Sequence, residues 1–227
     1  MEVKNLNKSF GSKILYEDLS FKVDPGKIFA LIGPNGVGKT TLMKLILGWD
    51  KDYSGQILIP NGLSLAYSPE SPEFPEFLRG DELLDFFIGL RKSKENSKDL
   101  MDLLGLDPKS KTQIKNYSKG MKQRLGVAQA LVGDPDILLL DEPTAGLDYF
   151  GQRLMADLFK RLKSQGKTLI LNSHLLLDVE QVCDQGLIIM GPGLYQTFDQ
   201  VDFKEKSLGQ MFMDLAVEKN RKDQDHE

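Results

Sequence analysis

The chain has 227 residues, with 29 Lys or Arg against 33 Asp or Glu, for a formal charge of −4. Hydrophobic residues make up 41% and charged residues 27%, a globular balance with enough apolar side chains for a real core. No run approaches the ~20 apolar residues of a membrane span, mild acidity removes general electrostatic affinity for nucleic acid, and the lone Cys183 excludes an internal disulfide.

The opening Met1-Glu2-Val3-Lys4 lacks the apolar segment of a secretory leader, so a cytoplasmic location is expected. Asp24-Pro25-Gly26 forms a turn, and Lys27 to Ile32 then reads as a buried strand. Glycines give way at Thr40 to a helix whose Leu42, Leu45 and Ile46 share one face, with Gly48 as its stop. Gln56–Ile59 and Ser64–Tyr67 are short strands separated by Pro60-Asn61-Gly62. Three prolines make Ser68 to Glu76 a loop. Helical patterns follow, with Leu83, Leu84, Phe86 and Phe87 in one, and Leu100, Leu103 and Leu104 before Gly105 in the next. Residues 75–131 therefore read as a helical subdomain inserted into a single domain spanning 1–227. Asp136 to Leu140 and Thr168 to Asn172 read as central parallel strands, joined by a helix carrying Leu154, Leu158 and Leu162. Leu187–Met190 and Leu194–Phe198 flank Gly191-Pro192-Gly193 as a hairpin. Leu208, Met211, Phe212 and Leu215 mark a last amphipathic helix, and the charge-rich stretch 218–227 reads as a flexible tail. The alternation of strands and helices predicts an α/β protein with a mostly parallel sheet.

Gly33-Pro34-Asn35-Gly36-Val37-Gly38-Lys39-Thr40 matches G-x-x-x-x-G-K-[ST] between a predicted strand and a predicted helix. A polyphosphate needs a concave row of backbone N–H groups, and glycines permit that path. The helix that follows, opening through Thr40 and Thr41, directs its positive end at the same anion. Lys39 reaches the terminal phosphates and the Thr40 hydroxyl ligates Mg²⁺. The motif predicts a nucleoside triphosphate ligand.

Ile137 to Leu140 runs directly into Asp141-Glu142. A buried strand that delivers two carboxylates to its tip suits a magnesium-dependent phosphoryl-transfer site, with Asp141 on the metal and Glu142 on the attacking water. Taken alone, the same pair also suits a plain strand end before Pro143.

With these motifs, the segment Tyr117-Ser118-Lys119-Gly120-Met121-Lys122-Gln123-Arg124 and the run Asp141-Glu142-Pro143-Thr144, the chain resembles the nucleotide-binding subunit of an ABC transporter over nearly its whole length. Ser118 and Gly120 keep two positions of the family's Leu-Ser-Gly-Gly-Gln segment, whereas Tyr117, Lys119 and Met121 depart from it. The resemblance implies a P-loop NTPase core with an N-terminal antiparallel β part. It implies a homodimer sandwiching two ATP molecules, in which Ser118 and Gly120 act on the partner's nucleotide. Phe10 fills the position of the aromatic that stacks on adenine, where a core Phe is the other reading. Glu70 stands where the family carries a metal-sensing Gln. Asp148, in Gly146-Leu147-Asp148, fills the loop that couples the two sites, and His174 fills the histidine that meets the γ-phosphate; as isolated residues they read as a helix cap and a structural histidine.

The resemblance further implies ATP hydrolysis with Mg²⁺ as cofactor, and a separate membrane permease that brings the subunit to the inner face of the membrane. The short last helix favours export. A soluble ABC protein working on ribosomes or DNA usually needs two such domains or a long coiled coil. A small-molecule P-loop kinase would account for the phosphate loop but not for Ser118, Glu142 and His174 together.

Overall fold

The computed structural model describes residues 1–174 and 176–224. They divide into two compact units, Met1–Leu63 with the segment from Asn172 onward, and Ser64–Leu171.

The first unit opens with strands β1 (Glu2–Phe10) and β2 (Lys13–Lys22), antiparallel about the Gly11 turn, with β4 (Ser54–Leu58) on the other edge of β1. Val3, Leu6, Leu19 and Phe21 face inward, with a register shift between Val3 and Leu6 that keeps both on the buried face. Strand β3 (Ile28–Ile32) is buried at every position and pairs in parallel with β8 (Gln185–Gly191), which forms the expected antiparallel hairpin with β9 (Leu194–Asp199). Phe21 and Phe29 stack at 5.3 Å between ring centroids. Helix α1 (Lys39–Ile46) buries Leu42, Leu45 and Ile46, and Gly48 takes φ +70° just beyond its end. Helices α6 (Leu176–Glu180) and α7 (Leu208–Gln224) complete this unit. Leu208, Met211 and Leu215 are buried, so the predicted apolar stripe of α7 exists. The helix also carries on through Glu218 to Gln224, where the sequence reading begins a flexible tail; an i,i+4 pair between Glu218 and Lys222 at 3.0 Å supports that extension. Residues 225–227 of the predicted tail lie outside the described residues.

In the second unit, β5 (Leu65–Ser68) runs parallel to β6 (Ile137–Asp141), and β7 (Thr168–Asn172) flanks β6 on its other side. Helix α5 (Tyr149–Ser164) buries Met155, Leu158, Phe159 and Leu162. Its dipole is complemented by Arg161 and Lys163 in the last turn. The stretch between β5 and β6 is helical as expected: α2 (Gly80–Arg91), α3 (Ser97–Leu103) and α4 (Lys119–Leu131). A capping box opens α2, with the Arg79 N–H donating to the Glu82 carboxylate at 2.9 Å. Leu83 and Leu84 face inward, while Phe86, expected with them, is exposed.

Helix α4 holds the proline-rich loop through a missing side chain. A Cβ on Gly126 would lie 2.8 Å from Pro72 Cγ and 3.1 Å from the buried Ser68 Oγ. Gly126→Ala gains about 1 kcal/mol of intrinsic helix propensity, but overpacking against a rigid proline ring costs about 1–3 kcal/mol. The expected net result in chemical denaturation is destabilisation by about 1 kcal/mol; a more stable variant would contradict this packing.

Candidate functional site

In the first unit, the phosphate loop leaves the end of β3 and enters α1. Gly33 lies against the neighbouring strand, where a Cβ would come 2.3 Å from the Ile189 carbonyl oxygen, so no larger residue fits. Gly38 takes φ +113° at the N-terminus of α1, a conformation open only to glycine at low cost. A Cβ there would also meet the Tyr16 hydroxyl at 2.5 Å. The loop closes around Lys39, which is 6% exposed and whose ammonium donates to the carbonyls of Gly33 at 2.7 Å and Pro34 at 3.2 Å. Asn35 and Gly36 are exposed at the crest, Pro34, Val37 and Gly38 are half-buried, and Thr40 and Thr41 follow half-buried in the first turn of α1.

Tyr16 is a residue that sequence reasoning missed. It is buried, and its hydroxyl donates to the Gly38 carbonyl at 2.5 Å, pinning the loop where it becomes a helix. Burial pushes the phenol well above its ordinary range, so the group remains a donor at neutral pH. An alternating pattern in β2 marks Tyr16 only as inward-facing, and nothing in the local sequence announces its partner.

Phe10 is 53% exposed at the end of β1, which excludes a core role. His174 follows β7 and is exposed; the preceding Ser173 N–H donates to the Leu31 carbonyl at 3.4 Å, so His174 emerges beside β3 just ahead of the phosphate loop.

In the second unit, β6 extends one residue further than predicted and ends on Asp141, while Asp136 falls outside it and accepts from the Ser64 N–H and hydroxyl, both at 2.8 Å. Asp141 is 2% exposed and accepts at 3.2 Å from the hydroxyl of Tyr67 on β5. Burial first, and then the Asp141 charge, raise the Tyr67 phenol far above its usual range, which keeps it a hydrogen-bond donor. Glu142 is buried and adopts φ +46°. That left-handed backbone is uncommon for a non-glycine residue and marks a position held by its surroundings. Its carbonyl accepts from the side-chain amide of Gln123 on α4 at 3.2 Å and from the Ala145 N–H at 3.0 Å.

Ser118 and Asp148 are both N-caps. Ser118 Oγ accepts from the Met121 N–H at 3.1 Å to open α4, and Asp148 Oδ1 accepts from the Gly151 N–H at 2.8 Å to open α5. The structure brings them together in one cleft of about 510 Å³, lined also by Gly120, Arg124, Gly146 and Leu147. A Cβ on Gly120 would sit 3.0 Å from Leu147 Cδ2, so the glycine lets the two loops approach. Glu70 is exposed in the bend after β5.

Magnesium binds hard oxygen donors and takes only one or two protein carboxylates beside substrate phosphates. The Thr40 hydroxyl, the Asp141 carboxylate and the Glu70 carboxylate are donors of that kind, and the hydroxyl of Tyr67 fixes the Asp141 carboxylate in place. Each of these donors is of the chemical kind that suits the ion. No helix among the described residues is long and apolar enough to cross a membrane.

Comparison with known proteins shows the family and the fold. The family model described as ABC transporter matches residues 16–145. An ABC transporter ATP-binding protein of Synechocystis sp. is 42% identical over 186 residues, 75% of this chain and 52% of the relative. A Nod factor export ATP-binding protein I of Cupriavidus metallidurans is 32% identical over 204 residues, covering 83% of this chain and 67% of the relative. A solved ATP-binding subunit of an ABC transporter superimposes with a TM-score of 0.81 at 28% identity, covering 95% of this chain and 98% of that one. The chain spans about half to two thirds of the length of the curated relatives it matches.

Proposed function

Because the chain belongs to the ABC transporter family as an ATP-binding subunit, we propose that it hydrolyses ATP to drive transport by a separate membrane permease, in the outward direction. The observation that carries the reading is the phosphate loop curled around the buried Lys39 and pinned by Tyr16. The start of a helix and an ammonium in the same loop favour a triphosphate, the ammonium turning from the Gly33 and Pro34 carbonyls to meet it.

In this reading Phe10 stacks on adenine, and residues Gly33 to Thr41 hold the phosphates. Thr40, Asp141 and Glu70 hold Mg²⁺, which when bound offsets the negative charge of the terminal phosphates. Glu142 orients and polarises the attacking water, and His174 hydrogen-bonds that water and the γ-phosphate. Attack forms the new P–O bond as the β–γ bridge breaks, leaving ADP and inorganic phosphate. Two copies act head to tail, each presenting Ser118, Gly120 and Asp148 to its partner's nucleotide. Because the γ-phosphate is shared between the copies, ATP favours the closed pair and hydrolysis the open one. The permease, reached through the helical part of 75–131 and the Glu70 loop, holds the subunit at the inner face of the membrane. Outward transport is supported by similarity to proteins named for Nod factor export.

The test is release of inorganic phosphate from ATP and Mg²⁺ by the purified chain. Turnover without an added acceptor is the expected result. Phosphate appearing only on an added small molecule would replace this reading with that of a kinase.

A further inference from the structure

Lys8 is an unusual charge for a strand residue: its side chain is 1% exposed. A buried ammonium is costly unless all its hydrogens are used. Here they are: Nζ lies 2.8 Å from Asp50 Oδ2, 3.2 Å from Asp52 Oδ2 and 2.6 Å from the Asp52 carbonyl oxygen. Asp50 and Asp52 sit just past the end of α1, so two acids are committed to one cation. A simple apolar residue would fill the same space with no such requirement, and Lys8 therefore needs a reason.

The reason on offer is Phe10. Residues i and i+2 of a strand share a face, and Lys8 Nζ stands 4.5 Å from the centroid of the Phe10 ring, inside the ~6 Å range of cation–π attraction. Phe10 is the last residue of β1 and over half exposed. The cleft beside Lys8 is lined also by Ile14, Glu17, Tyr53 and Tyr16. Tyr16 is the residue bonded to Gly38, so this cluster and the phosphate loop share a wall.

We propose that Lys8 is the positioning residue of a base platform: Asp50 and Asp52 clamp its ammonium, the ammonium fixes the Phe10 ring, and the ring's open side receives the adenine of ATP. The assignment rests on the reading of Phe10 as the stacking residue. It extends that reading to three side chains, Lys8, Asp50 and Asp52, that act through the ring.

Calorimetric titration of the full chain with ATP and, separately, with inorganic tripolyphosphate tests it. Lys8→Met should weaken ATP about 3–10-fold, the size of a partly desolvated cation–π contact, and leave tripolyphosphate within about twofold, since the phosphate contacts are untouched. Lys8→Arg should restore most of the loss. In a Phe10→Ala background Lys8→Met should have no further effect. The Asp50→Asn/Asp52→Asn variant keeps the ammonium and loses its clamp, and should show the same ATP-selective loss. Unchanged ATP affinity in both the Lys8→Met and Asp50→Asn/Asp52→Asn chains overturns the assignment. An equal loss of tripolyphosphate binding, or a full Lys8→Met effect without the Phe10 ring, also overturns it. A native chain that binds no tripolyphosphate would overturn the nucleotide reading beneath it instead.

Discussion

Glu142→Gln is expected to lower ATP turnover by about 10²–10⁴-fold, the usual contribution of a positioned general base, while ATP still binds. The substitution is nearly isosteric and leaves intact the backbone carbonyl that accepts from Gln123. The φ of +46° is set by the surrounding chain, so it should persist with Gln in place. What changes is the ability to polarise water. A site that binds but does not turn over should hold the closed pair, so size-exclusion chromatography with ATP should show a dimer of the variant. Phosphate release within about tenfold of the native rate, with no dimer, would remove Glu142 from the role proposed for it.

Lys39→Ala acts on binding. The ammonium replaced here holds the Gly33 and Pro34 carbonyls and is proposed to meet the terminal phosphates. A hydrogen bond to a charged group contributes about 1.5–3 kcal/mol, which converts to roughly 10–150-fold in affinity. Direct titration with ATP should show a loss of that order, with phosphate release falling in parallel. The far-UV circular dichroism should be unchanged, because the Gly38 carbonyl still accepts from Tyr16 and from the Leu42 N–H. Native affinity in the variant would contradict the reading of the loop.

Much of this arrangement was legible in the sequence where one physical requirement dominates the residue choice. Thr168–Asn172 is a strand with the predicted boundaries because five buried positions admit only that pattern. The phosphate loop was legible because a tight turn beside Ile189 and Tyr16 admits only glycine at Gly33 and Gly38. Ser118 and Asp148 were legible as cap residues because their short oxygen side chains suit a helix start. Other features depend on partners distant in sequence. Tyr16 and Gly38 are 22 residues apart, Tyr67 and Asp141 are 74 apart, and Lys8 and Asp52 are 44 apart. No local period encodes such pairs. The length of α7 was misread for a different reason: charge density suggests disorder, whereas opposite charges four residues apart support a helix.

The bond from Gln123 to the Glu142 carbonyl has a consequence for the proposed pair of subunits. Ser118 opens the same helix that carries Gln123, so a single helix joins the tip proposed to meet a neighbour with the backbone of the carboxylate proposed to serve the home nucleotide. A tilt of that helix would tug on both ends at once. In the proposed pair neither nucleotide site would then be tuned in isolation, and this one helix would give the assembly a route for crosstalk.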